Sequence, residues 1–243
     1  MKTLGVIPAR YGAQRFPGKP LALIAGQPLV QRAYERAKQA KRLDRVVVAT
    51  DDARIADAVK KFGGEVVMTS PTCPSGTDRA AEVARQIDCD LIVNIQGDEP
   101  LMRPEMIDQL VDSLVSDTGC VMATLARKIE TPAVLANTNI VKVVFARNGN
   151  ALYFSRHPIP FVRDAGATAT HFKHLGIYAY RREFLLKFVQ LPQSELEKTE
   201  KLEQLRVLEN GFAIKVLVTP FDSVGVDIPA DVQHVEKILR EQL

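Results

Sequence analysis

The 243-residue chain contains no tryptophan, only 6% aromatic residues, and three cysteines, Cys73, Cys89 and Cys120. An odd number of widely spaced thiols with no Cys-x-x-Cys pair excludes a disulfide framework and a zinc knuckle, and fits a reducing, cytoplasmic setting. Charge of one sign is nearly balanced: 32 Lys and Arg face 29 Asp and Glu, a net +3. That excess cannot hold a polyanion across the surface, so neither nucleic acid nor a membrane is an expected partner, and any anion site must be local. The apolar stretch at the N-terminus, Leu4 to Pro8, is too short for a signal segment. The uncharged stretch Pro20 to Gln31 is broken by Gly26 and Pro28, so it is not expected to span a bilayer. What remains, 46% hydrophobic and 25% charged residues, is ordinary globular composition, and the length suits one domain over 1–243.

Short β-branched runs alternate with amphipathic stretches. Leu4 to Ile7, Val46 to Ala49, Val66 to Met68 and Leu91 to Ile95 read as strands buried on both faces. Between them, stripes at three- and four-residue steps predict helices: Leu29 to Ala40, Ile55 to Phe62 and Ala80 to Ile87. The alternation implies an α/β fold with a doubly wound, mostly parallel sheet. From about 120 to 175 the pattern becomes strand-like, with Asn148-Gly149-Asn150 as a hairpin turn, which predicts an antiparallel insertion. A strand over Leu175 to Tyr180, helices over Arg182 to Val189 and Glu197 to Glu209 stopped by Gly211, a strand over Ala213 to Val218 and a helix after Pro229 complete the expectation.

Ligands of open parallel sheets bind beyond the carboxyl ends of the strands. After the first strand come Arg10, Arg15 and Lys19 with no acid among them, and Gly12 and Gly18 allow close backbone approach. Arg supplies a planar fork of donors and Lys a point charge, which suits a polyphosphate; the bland alternative is a solvated basic turn. The spacing is neither Gly-x-Gly-x-x-Gly nor Gly-Lys-Ser/Thr, which disfavours a dinucleotide enzyme or a P-loop NTPase. Gln96-Gly97-Asp98-Glu99-Pro100 ends a buried strand in carboxylates. Asp98 beside a triphosphate would suit Mg²⁺, which takes one or two protein carboxylates and completes its shell with phosphate and water; otherwise it is a turn capping the helix near Pro104. Ser75 to Arg79 reads as an acidic capping box opening a helix. His171 and His174 fall to opposite sides of a strand and do not pair for a metal. No nucleophile elbow or Ser-His-Asp arrangement occurs.

Together, Ile-Pro-Ala-Arg at 7 to 10, Arg-Phe-Pro-Gly-Lys-Pro-Leu at 15 to 21, Val-Ala-Thr-Asp at 48 to 51, Ser-Gly-Thr-Asp-Arg at 75 to 79, Gln-Gly-Asp-Glu-Pro at 96 to 100, Ala-Leu-Tyr-Phe-Ser-Arg at 151 to 156, His-Leu-Gly-Ile-Tyr at 174 to 178 and Leu-Glu-Gln-Leu-Arg at 202 to 206 resemble the 3-deoxy-manno-octulosonate cytidylyltransferases, the CMP-Kdo synthetases. The resemblance implies a nucleotide-diphospho-sugar transferase fold with an antiparallel dimerisation arm, and a homodimer. It implies condensation of CTP with Kdo to CMP-Kdo and pyrophosphate for lipopolysaccharide assembly. By motif, Arg10, Arg15, Lys19 and Asp98 would be catalytic, and Ser75, Gly76, Thr77 and Arg79 would join the three cations around the nucleotide. Gln96, Arg156, His174, Tyr178, Glu203 and Gln204 would line the sugar-acid pocket, and Asp98 and Asp227 would share Mg²⁺. Relatives often carry Thr where this chain has Ile228. Glu99 resembles the Kdo type, whereas enzymes for the 8-amino analogue resemble Gln there. The rival functions are transfer to that analogue or to a sialic acid, and, from another class, a non-catalytic nucleotide-binding module.

Overall fold

The computed structural model describes residues 1–12, 15–164 and 166–241. Its core is a mixed sheet in the order β11-β7-β10-β6-β1-β4-β5. The strands are β1 (Thr3–Ala9), β4 (Arg45–Thr50), β5 (Val66–Met68), β6 (Leu91–Asn94), β7 (Met122–Lys128), β10 (Phe172–Arg181) and β11 (Ile214–Val218), with β2 (Leu23–Ile24) and β3 (Gln27–Pro28) forming a separate small ribbon. β8 (Lys142–Phe145) and β9 (Ala151–Ser155) form the hairpin foreseen at Asn148 to Asn150, and β8 lies against β10. The helices are α1 (Leu29–Ala37), α2 (Ala53–Lys61), α3 (Gly76–Gln86), α4 (Pro104–Ser116), α5 (Pro132–Ala136), α6 (Arg182–Phe188), α7 (Glu195–Glu200), α8 (Leu205–Glu209) and α9 (Pro229–Glu241). No helix among the described residues is long and apolar enough to cross a membrane.

Alternation along each central strand builds two cores. On β4, Val46 and Val48 face α1, α2 and α4, while Val47 and Ala49 face α3 and the α6–α8 side. Each fully buried aliphatic side chain contributes on the order of 1.5–3 kcal/mol, so the sheet is held from both faces. β1 pairs in parallel with β4 on one side and β6 on the other. The chain moves outward from β1 to β4 and β5, then returns through α3 to β6. The crevice between the ends of β1 and β6 is therefore the topological switch point.

Two expectations need correction. Val66 to Met68 is not buried on both faces: β5 is the sheet's edge, and Met68 is 51% exposed. The strand expected over 175–180 is present within β10, which runs antiparallel between β6 and β7, filling a slot that two parallel neighbours leave open. The single helix over 197–209 is instead α7 and α8, broken where Lys201 turns left-handed at φ +55°. The break is enforced inside the segment, where Arg206 donates to both carboxylate oxygens of the buried Glu197 at 2.7 and 2.6 Å. Gly211 ends α8 as expected, at φ +76° with its N–H donating to the Leu208 carbonyl. Of the stretch from 120 to 175, Met122–Lys128 lies within the central sheet and the β8–β9 hairpin beside it.

Candidate active site

A cleft of about 650 Å³ opens at the switch point, walled by Arg10, Arg15 and Lys19 after β1, by Gln96, Gly97 and Asp98 after β6, by Ser75, Gly76 and Arg79 at the start of α3, and by Asp227. The basic loop is shaped locally. Gly18 adopts φ +72° and donates its N–H to the Tyr11 carbonyl at 2.9 Å, and a Cβ there would lie 3.2 Å from the Tyr11 ring. The Arg54 guanidinium lies 3.3 Å from the centre of the same ring, and Asp52 holds that guanidinium at 2.9 and 2.6 Å. On the facing side Gly97 is tightly packed: a Cβ there would lie 3.1 Å from the Pro8 carbonyl oxygen and push the two loops a few tenths of an ångström apart.

The two aspartates, far apart in sequence, meet on one cation. Lys19 Nζ donates to Asp98 Oδ2 at 2.6 Å and lies 3.5 Å from Asp227 Oδ1, while Arg15 Nη2 is 3.4 Å from the same Asp227 oxygen. Lys19 is only 16% exposed against 72% for Arg15, so the Lys19–Asp98 pair is the enclosed one. The Val226 N–H donates to the Asp98 carbonyl at 2.9 Å and ties the two loops together. Two carboxylates around one positive centre, opening onto a cationic cleft, are hard oxygen donors suited to Mg²⁺ with phosphate and water completing the shell. No larger group of three or more His, Cys, Asp or Glu is disposed to hold a metal among the described residues. Asp98 does not cap α4, whose N-terminal flanking residue is Arg103.

A second cluster lies alongside. Thr77, buried in the first turn of α3, donates its hydroxyl to Glu203 Oε2 at 2.9 Å, and burial raises the Glu203 pKa. His174 meets Phe154 edge-on and Tyr178 at a tilt, with ring centres 5.0 and 5.4 Å away. Its Nε2 lies 2.9 Å from Thr124 Oγ1, which also reaches the Leu175 and Ile177 carbonyls at 3.2 and 2.9 Å. Loss of water around the ring drives its pKa down to about 3. Gln96 joins cleft and cluster by donating to the Gly176 carbonyl at 2.8 Å, at the bulge between Leu175 and Tyr178.

Residues 4–217 match the cytidylyltransferase family. A solved CMP:2-keto-3-deoxy-manno-octonic acid synthetase complexed with CTP superposes with a TM-score of 0.96 at 44% identity, covering 100% of both chains. The 3-deoxy-manno-octulosonate cytidylyltransferase of Geobacter metallireducens is 51% identical across 100% of both chains, and that of Syntrophobacter fumaroxidans is 53% identical across 99% of this chain and 98% of its own. The chain belongs to the 3-deoxy-manno-octulosonate cytidylyltransferase family.

Within this cytidylyltransferase, several of the foreseen residues are also held by bonds inside the protein. Ser75 is the N-cap of α3, accepting the Asp78 N–H at 3.1 Å and donating to Asp78 Oδ2 at 2.6 Å, so its helix-start reading holds. Arg79 is 4% exposed; its guanidinium bonds Thr69 and pairs with Asp51 at 3.2 Å, which explains the Val-Ala-Thr-Asp motif as an anchor for α3. The Arg156 guanidinium donates to the carbonyls of Glu200, Thr138 and Lys201. Gln204 is 4% exposed beside Glu203. His171 donates to the Pro160 carbonyl, apart from His174.

The sequence reading missed Tyr11, Arg54 and Cys73. Asp52-x-Arg54 directly after a parallel strand was the available signal for the clamp on the basic loop. Cys73 lines the cleft, but its thiol donates to Glu82 at 3.0 Å, and burial pushes its pKa up to about 11, so it is no nucleophile.

Proposed function

We propose that this cytidylyltransferase condenses CTP with 3-deoxy-D-manno-octulosonate to give the CMP-sugar and pyrophosphate, activating the sugar for lipopolysaccharide biosynthesis in the cytoplasm. The observation that carries the reading is the convergence of Lys19 and Arg15 with Asp98 and Asp227 at the mouth of β1 and β6. The full-length likeness to curated enzymes of that name supports the choice of sugar.

The sugar's anomeric hydroxyl attacks the α-phosphorus and pyrophosphate departs, so two anions must be brought together and charge must be stabilised on the leaving group. Arg10, Arg15 and Lys19 bind the triphosphate and offset that charge; Ser75 to Arg79 borders the nucleotide. Asp98 and Asp227 would hold Mg²⁺, which when bound neutralises phosphate charge and acidifies a coordinated hydroxyl. Lys19 bridges the two carboxylates before nucleotide arrives, then turns its ammonium to phosphate. On the sugar side, His174 stays neutral at working pH, Gln96 and Tyr178 flank it, and Glu203 with Gln204 accepts and orients hydroxyls. Arg156 holds the Glu200–Lys201 turn from which Glu203 follows. A homodimer built through the hairpin arm is supported by Leu152 and Phe161, 62% and 85% exposed there.

The test is pyrophosphate release from CTP and Mg²⁺ with Kdo, the 8-amino analogue and a sialic acid in parallel. Turnover with Kdo is expected. Release only with another sugar acid refutes the specificity, and none with any sugar leaves a nucleotide-binding module. Sedimentation at micromolar concentration checks the dimer.

A further inference from the structure

Beneath the cleft lies a third apolar cluster, separate from the two cores of the sheet. Its buried members include Leu101, Val226 and Val235, with Phe16 and Val224 packed against it. Phe16 follows Arg15, Leu101 lies three residues after Asp98, and Val226 precedes Asp227. Each of the three loops that carry charge into the cleft thus roots an apolar side chain in one small cluster, and Val235 closes that cluster from α9. The same helix holds the β2–β3 turn, where Glu236 Oε1 accepts the Ala25 N–H at 2.8 Å.

The first turn of α9 reaches the site directly. Pro229 is the first helical residue, and Ile228 directly precedes it. An isoleucine side chain cannot accept an N–H, so half of a capping box is missing. The other half is doubled: Asp231 Oδ2, at the third helical position, accepts the N–H of Ile228 at 3.0 Å and that of Asp227 itself at 2.8 Å.

We propose that Asp231 is a positioning residue, which grips the backbone of Asp227 so that its carboxylate is held opposite Asp98, with α9 as the common floor of all three loops. The proposal rests on the reading of Asp227 as a metal ligand. Because Ile228 contributes no cap, Asp231 is the side chain on which the helix start and the carboxylate loop both depend. One oxygen of its carboxylate, Oδ2, takes both backbone donors.

The experiment compares Asp231→Ala, Asp231→Asn and Asp227→Asn. Amide hydrogen exchange over 224–230, without nucleotide or metal, should quicken about fivefold to tenfold in Asp231→Ala, the scale for losing one capping interaction. Asp231→Asn keeps an acceptor oxygen and should stay near wild type. Mn²⁺ binding in the presence of CTP, read by electron paramagnetic resonance, should weaken about fivefold or more in Asp231→Ala and recover in Asp231→Asn. Unchanged exchange in Asp231→Ala overturns the grip, and faster exchange with unaltered Mn²⁺ binding overturns the positioning role. Full Mn²⁺ binding by Asp227→Asn would instead refute the ligand reading, while exchange still decides the grip.

Discussion

His174 and Glu99 bias stability in opposite directions with pH. Desolvation lowers the folded His174 pKa to about 3 from 6.5, so its contribution is whole above pH 6.5 and is lost as pH falls toward 3. Burial raises the folded Glu99 pKa to about 7 from 4.5, with Asp98 pushing the same way, so stability tied to its protonation is whole below pH 4.5 and is lost as pH rises through 7. Integrated from pH 8 to pH 5, His174 costs about 2 kcal/mol and Glu99 returns about 2.5 kcal/mol. The wild-type profile should therefore carry little net slope from this pair, and only variants expose the two contributions. Urea unfolding followed by circular dichroism, which needs no tryptophan, should be run without nucleotide or divalent cation, because a cation at Asp98 would favour ionised Glu99. His174→Gln can still meet Thr124 and should gain about 2 kcal/mol relative to wild type on going from pH 8 to pH 5. Glu99→Gln should lose about 2.5 kcal/mol over the same interval. Parallel profiles for wild type and His174→Gln, or an imidazole proton resonance titrating near 6.5, would refute the reasoning.

Lys19→Ala and Arg15→Ala should each cut kcat/KM for CTP by about 10²-fold, the scale for one preorganised donor, with folding retained; near-normal steady-state turnover would restore the solvated-turn reading. Asp98→Asn and Asp227→Asn should each lower kcat by orders of magnitude, and the double variant should fall well short of the product; strictly multiplicative losses across a metal titration would show that they share no ion. Gly18→Ala puts a Cβ against Tyr11 at φ +72°, a strain of about 1–2 kcal/mol that should raise KM for CTP more than it lowers Tm; an unchanged KM would separate the loop's shape from binding. Arg206→Met strands the buried Glu197 carboxylate and should cost about 3–5 kcal/mol in urea unfolding, whereas a loss under 1 kcal/mol would mean the pair does not hold the α7–α8 break.

The legible parts of this molecule are those whose cause is local. β1, β4 and β6 announce themselves because strands covered on both faces must be apolar throughout, and the switch point follows from their order. From there the cations after β1 and the carboxylate after β6 fall into one crevice by topology alone. Edge strand β5 has the same composition as the central strands, so its exposure could not be read from residues 66–68. The stripe over 197–209 is helical in period, yet Arg206 folding back on Glu197 outweighs it, and that pairing depends on packing and not on propensity. The same division runs through the site. Asp98 could be placed from its strand, but Tyr11 is set by Arg54, whose nearness depends on β1 lying beside β4. The sugar-side roles of Gln96, His174 and Glu203 came only by resemblance, since Gln96 meets β10 at a bulge and Glu203 meets Thr77 of α3, and no spacing records either contact. Asp227 stands between the two cases: its glycine-flanked loop was legible, whereas its pairing with Asp98 across more than a hundred residues required the Val226 N–H to find the Asp98 carbonyl. Chemistry at this cleft is therefore assembled by loop-to-loop contacts, while the strand order only says where those loops must meet.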